Sequence, residues 1–158
     1  MKTVYIETSV ISYLTAKPSD NLVASAWQKT TTDWWETQRP RFKLYTSQLV
    51  IEEASQGDHD AAARRLDALR KIPLLKTADA AVALAKTFLE QGALPAKAID
   101  DAMHIALAAV HEIDYLLTWN CRHIDNAETK PVIRNICITQ GISCPEICTP
   151  SELMGVEQ

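Results

Sequence analysis

The stretch from Lys97 to about Ile113 constrains this chain most, because its helical periodicity carries apolar residues around most of the circumference. Turned through about 100° per residue, Ile99, Met103, Ala106, Val110 and Ile113 form one apolar line, with Ala98, Ala102, Ile105 and Ala109 beside it. Only a narrow polar arc remains, so the helix requires cover on several sides. It runs directly into an apolar strand, Tyr115-Leu116-Leu117-Thr118, which ends at Trp119-Asn120. The opening repeats this logic in reverse: Thr3 to Ile6 reads as a strand, Glu7-Thr8-Ser9 as a polar junction, and Val10, Ile11 and Leu14 as the start of a helix. Thr8 or Ser9 is the expected helix cap at that junction.

The alternation continues along the chain. Ser19 or Asp20 caps a helix reaching about Gln38, ended by Pro40. Lys43 to Thr46 forms a second strand, Ser47 caps a helix through Glu53, and Gly57 stops it. Asp58 opens a charged helix to about Lys71, with Ala62, Leu66, Leu69 and Ile72 inward and Pro73 after it. Leu74 to Lys76 is a brief strand, followed by an alanine-rich helix from Ala78 to Gln91 and a stop at Gly92. Asn126 to Gln140 makes a further helix, with Pro131 near its start and Gly141 at its end, before a last strand at Glu146 to Thr149. Strands alternating with helices predict an α/β fold with a parallel sheet covered on both faces.

At 158 residues and 47% hydrophobic, the chain is sized for one domain spanning residues 1–158. No apolar run approaches the roughly 20 residues that cross a bilayer, so a soluble, cytoplasmic protein is expected, with no membrane partner. Cys121, Cys137, Cys144 and Cys148 lie together in the last quarter. Three of these with His123 could ligate zinc, but paired C-x2-C spacings are missing and buried thiols are the expectation. The net charge of −4 supplies no global attraction for nucleic acid, although Arg39, Arg41 and Lys43, Arg64 to Lys71, and Lys130 with Arg134 form local basic groups. Trp27, Trp34 and Trp35 have helical spacing and are read as packing or partner-facing residues rather than base-stacking ones.

In an open parallel sheet, ligands gather beyond the carboxyl ends of the strands. Glu7 follows the first strand, Glu52 and Glu53 lie on the helix after the second, and Asp100 and Asp101 open the widely apolar helix. Periodicity alone does not choose within either adjacent pair. Carboxylates converging without Lys or Arg partners repel one another, a situation usually relieved by a hard divalent cation such as Mg2+ or Mn2+. Such a cation acidifies water into a nucleophile and stabilises charge on phosphate. His104 is read as a polar-arc residue in preference to a general base; His123 is open to either role, and His59 and His111 are expected at the surface.

Four segments together resemble the PIN-domain family, of the kind found as the VapC toxin of bacterial toxin–antitoxin pairs. They are Tyr5 to Ile11, Thr46 to Glu53 with Gly57, Asp101 to Ala108, and Leu117 to His123. The resemblance runs over essentially the whole chain. It implies a three-layer α/β/α sandwich with a mostly parallel four- to five-stranded sheet, often dimeric, and a Mg2+- or Mn2+-dependent ribonuclease whose partners are an RNA substrate and a small antitoxin. It selects Asp101 over Asp100 and Glu53 over Glu52. By that mapping Glu7, Glu53 and Asp101 bind metal, and Ser9, Thr118 and Asn120 orient them or the attacking water. The chain departs from the family pattern in having Glu7 where Asp is commonest and Asn120 where a fourth acid is common, so one tight metal is expected at most. A PIN-fold RNA- or protein-binding protein with weakened catalysis is the alternative these departures suggest. An aspartyl-phosphate phosphohydrolase is disfavoured, because the first strand end reads Glu7-Thr8-Ser9 instead of Asp-x-Asp.

Overall fold

A computed structural model describes residues 1–156 and is built on five parallel strands in the order β3-β2-β1-β4-β5. The strands are β1 (Thr3–Ile6), β2 (Lys43–Ser47), β3 (Leu74–Leu75), β4 (Tyr115–Leu117) and β5 (Glu146–Cys148). Seven helices connect and cover them: α1 (Thr8–Thr15), α2 (Leu22–Thr37), α3 (Gln48–Ala54), α4 (His59–Leu69), α5 (Asp79–Glu90), α6 (Ile99–Val110) and α7 (Lys130–Thr139). Helices α1 to α4 pack among themselves, as do α5 with α6 and α7, which gives the two outer layers. The expected parallel α/β architecture is therefore the observed one.

Chain order dictates where a site can form. The chain builds outward from β1 through β2 to β3, then returns to lay β4 on the other side of β1. The connections thus diverge between β1 and β4, opening a crevice at their carboxyl ends. Register places Ile6 beside Leu117, so the segments starting at Glu7 and Thr118 leave the sheet side by side. The central strand has no exposed side: Val4, Tyr5 and Ile6 are all fully buried.

Several local features differ from the sequence expectation for identifiable reasons. The cap of α1 is Glu7 itself, whose carboxylate accepts the Ser9 N–H, because a carboxylate two residues ahead reaches an unpaired first-turn amide. Asn21 caps α2 by accepting from Ala24, while the Ser19 hydroxyl accepts from the Asn21 amide. Helix α7 begins only at Lys130, since Asn126 bonds within its own loop, donating to Cys121 and accepting from Glu128. The apolar line on α6 is only partly covered, with Ile99 exposed and Met103 and Val110 half-buried. The tryptophans pack as expected: Trp34 is buried with its indole N–H on Leu153 O, Trp27 stacks on Trp119 at 4.6 Å, and Trp35 lies beneath the Arg39 guanidinium. Cys137 and Cys148 are buried, Cys144 is half-buried and Cys121 is exposed. Among the described residues no cysteine belongs to a metal-ligand cluster.

Asp114 fastens the start of β1 to that of β4: it accepts from the Thr3 amide at 2.9 Å and hydroxyl at 3.2 Å, and returns its own N–H to the Thr3 hydroxyl. The Thr3 backbone hydrogen bond, with Lys2 nearby, holds the Asp114 carboxyl below its ordinary value of 3.8. A carboxyl lowered on folding stabilises the protein above its unfolded pKa, and that stabilisation disappears as pH falls through the folded value. Screened by solvent at this exposed position, the hydrogen bonds lost in Asp114→Ala should lower stability by about 0.5–1 kcal/mol at pH 7, or roughly 1–4 °C in Tm. The difference from wild type should narrow as thermal melts are taken below pH 3.8.

Candidate functional site

At the carboxyl edge of β1 the chain turns straight from strand to helix, which buries Glu7 to 5% exposure. Three donors converge on its Oε1: the Ser9 amide at 3.1 Å, the Ser9 hydroxyl, and the Thr118 hydroxyl at 2.7 Å. Ser9 also accepts the Trp119 N–H at 2.8 Å, and Thr118 accepts the Asn120 N–H at 2.9 Å. The ends of β1 and β4 are thus laced together by hydroxyls around one carboxylate oxygen.

Glu53 arrives from α3, six residues beyond the Ser47 cap. Its Oε1 accepts from the Thr8 hydroxyl at 2.5 Å and meets His104 Nε2 at 2.7 Å. His104 is completely buried, and its Nδ1 lies 2.7 Å from the Tyr5 phenol, which lies 2.7 Å from the Ser47 hydroxyl. Burial by itself depresses the His104 pKa, but the hydrogen bond to Glu53 and the field of Glu7, Glu53 and Asp101 outweigh it and raise the pKa above 6.5. Burial likewise pushes Glu53 up, and the His104 and Thr8 hydrogen bonds bring it below its ordinary value. Both directions favour the charged forms of the pair. A continuous chain of hydrogen bonds thus runs from Glu53 through His104 and Tyr5 to Ser47, whose hydroxyl oxygen also accepts the Val50 amide. Burial raises the Tyr5 pKa strongly, with Glu7 and Glu53 adding to the rise, so the phenol stays neutral and able to donate.

Asp101, in the first turn of α6, is held by other partners. Asn120 Nδ2 donates to Oδ1 at 3.2 Å and His123 Nδ1 lies 2.8 Å from Oδ2. The same turn is closed by the His123 N–H donating to Asn120 Oδ1. Glu53 and Asp101 line one cleft, while ligand atoms of Glu7, Glu53 and His104 lie within 4.8 Å of one another. Asp101 stands outside that tight group. Among the described residues no Lys or Arg forms an ion pair with Glu7, Glu53 or Asp101; only His104 and His123 do. Carboxylate oxygens without Lys or Arg partners match the preference of a hard divalent cation. All the hydrogen bonds to Glu7 and Glu53 fall on Oε1, which leaves each Oε2 for another ligand.

The model of the PIN domain matches residues 4–128 of this chain. The chain belongs to the PIN domain family. Its fold is similar to the crystal structure of VapBC2 from Rickettsia felis bound to a DNA fragment from their promoter, with a TM-score of 0.59 and 14% identity over 93% of this chain and 98% of that one. No curated protein sequence matches it.

In this PIN domain Glu7, Ser9, Thr118 and Glu53 are gathered at the crevice, and Asn120 is joined to Asp101. Glu52 and Asp100 are exposed, which separates each from its neighbour where periodicity alone did not. His104, read as a polar-arc residue in preference to a general base, is the fully buried partner of Glu53. The polar arc also contains Ala108, with Leu107 at its edge, both fully buried, and these apolar neighbours were the signal that His104 faces inward. Tyr5 and Ser47, read only as strand residue and cap, complete the chain behind it. Tyr5→Phe removes the phenol from between two buried polar atoms. It should cost about 1–3 kcal/mol, measured as a lower denaturation midpoint at unchanged m value.

Proposed function

We infer that this PIN domain is a metal-dependent endoribonuclease acting as the toxin of a toxin–antitoxin pair. The observation carrying this reading is the pair Glu7 and Glu53, converging with Asp101 nearby at the crevice and lacking any Lys or Arg counter-ion among the described residues. The match to VapBC2 and the resemblance of four motifs to VapC toxins support the toxin assignment. The whole chain is read as one PIN-like domain that works as a homodimer in the cytoplasm, with a small antitoxin protein as its inhibitor. Among the described residues no helix is long and apolar enough to cross a membrane.

Glu7, Glu53 and Asp101 would hold Mg2+ or Mn2+. When bound, such a cation supplies positive charge beside the phosphodiester and lowers the pKa of water. The remaining residues orient and insulate. Ser9 and Thr118 fix one oxygen of Glu7, Thr8 and His104 fix one oxygen of Glu53, and Asn120 with His123 fixes Asp101. Water attacks the phosphorus in line, leaving a 3′-hydroxyl and a 5′-phosphate. The Glu7 carboxylate accepts the Ser9 amide, so the residue serves as helix cap and site wall together. His104 acts as a positioning residue, since both its ring nitrogens are engaged by the protein.

Purified protein with Mn2+ should cleave single-stranded or structured RNA. Asp101→Asn should weaken metal binding in calorimetric titration by at least the roughly 10–100-fold that loss of a ligand's hydrogen-bond partner costs, lose cleavage in parallel, and relieve growth inhibition on expression. RNA binding with no metal-dependent turnover in the wild type would instead favour the binding-protein reading that Glu7 and Asn120 suggest.

A further inference from the structure

The cleft beside Glu53 and Asp101 encloses about 410 Å3 and is also lined by Lys97, Ala98, Ile99 and Asp100. Lys97 is its single cationic side chain. The residue is exposed, and among the described residues its ammonium has no carboxylate within ion-pair distance. That isolation is structural. Asp100 and Asp101 follow at the i+3 and i+4 spacings that pair along a helix, but Lys97 stands ahead of α6, in a turn closed by Ala98 N–H on Pro95 O at 2.9 Å. The turn holds its backbone in place while leaving the ammonium free.

A nucleic-acid strand entering this cleft meets the like charge of Glu53, Asp100 and Asp101, and the chain's net charge of −4 gives it no compensating long-range attraction. A cation bound among the acids offsets charge at the reacting phosphate only. The neighbouring phosphates need their own partner. We propose that Lys97 is the residue that seats the RNA backbone in the cleft by contacting a non-bridging phosphate oxygen next to the scissile bond. An ammonium offers a compact charge and three rotatable donors, which suits a phosphate oxygen and reads no base. The contact is therefore sequence-independent and concerns substrate seating rather than chemistry. It rests on the ribonuclease reading above.

Two measurements test it. Fluorescence anisotropy with a labelled single-stranded RNA, in an Asp101→Asn background with Mg2+ to prevent cleavage, reads binding and its salt dependence. Cleavage kinetics with Mn2+ in the otherwise wild-type protein separate KM from kcat. Lys97→Ala should weaken binding and raise KM by roughly tenfold with kcat unchanged. It should also reduce the slope of log affinity against log salt by about 0.7, the value for one phosphate contact on a single strand. Lys97→Arg should restore most of both. Lys71→Ala is the control, because Lys71 lines a separate hollow with Arg39 and Arg70. If Lys97→Ala matches the parent protein, or Lys71→Ala weakens binding equally, the assignment of Lys97 is overturned. If the protein neither binds nor cleaves RNA before Lys97 is altered, the ribonuclease reading falls and takes this one with it.

Discussion

The mutual repulsion of carboxylates gathered at one sheet edge is the constraint around which this molecule is arranged. Two acids within 4.8 Å of a common imidazole, one of them almost fully buried, stand without Lys or Arg relief. The fold manages them through hydrogen bonding to one oxygen of each. Glu7 is held by hydroxyls and an amide, and Glu53 by a hydroxyl and a raised-pKa imidazole. Charge-assisted hydrogen bonds of this kind are roughly twice as strong as neutral ones, and they fix orientation as well as charge. His104, its pKa raised by the hydrogen bond to Glu53 and the field of the acids, is the basic side chain the fold itself sets beside Glu53.

Behind His104, the line through Tyr5 to Ser47 connects the site to the sheet's central strand and to the cap of α3. A buried polar network is stabilising only when each member is satisfied, and among the described residues no buried side-chain nitrogen or oxygen lacks a partner. The network therefore couples local folding to site geometry. The cap that starts α3 also anchors the phenol that anchors the imidazole that orients Glu53. Trp119 plays a similar part on the other wall, stacked on Trp27 with its indole N–H on Thr31, steadying the turn that carries Asn120.

The fold was largely legible before any coordinates, because strand and helix periods are properties of consecutive residues. Ser47, Asp58, Gly57 and Gly92 mark the element ends they were expected to mark, and Gly57 and Gly92 take the positive φ that ends a helix without a Cβ penalty. The misses are local competitions. Glu7 displaced Thr8 and Ser9 as a cap, Asn21 displaced Ser19 and Asp20, and Asn126 held its loop in place of starting a helix. Each turned on which of several adjacent polar side chains reached the amide first, a matter of backbone direction that composition does not encode.

By itself, then, the sequence determined the order of elements, the parallel sheet and the placing of acids near strand ends, since all three follow from short-range pattern and chain connectivity. Only the tertiary structure decided which acids meet. It turned Glu53 toward the cleft and left Glu52 exposed, and it tied the half-buried Asp101 to Asn120 and His123 while Asp100 stays exposed at the same cleft, because neighbouring residues on a helix point about 100° apart and the packing of α3 and α6 against the sheet sets that rotation. It also decided that His104 belongs to the interior. The helical wheel put it on the arc bounded by Asp100 and Asp101, whereas the packed helix offered it a phenol on one side and a carboxylate on the other.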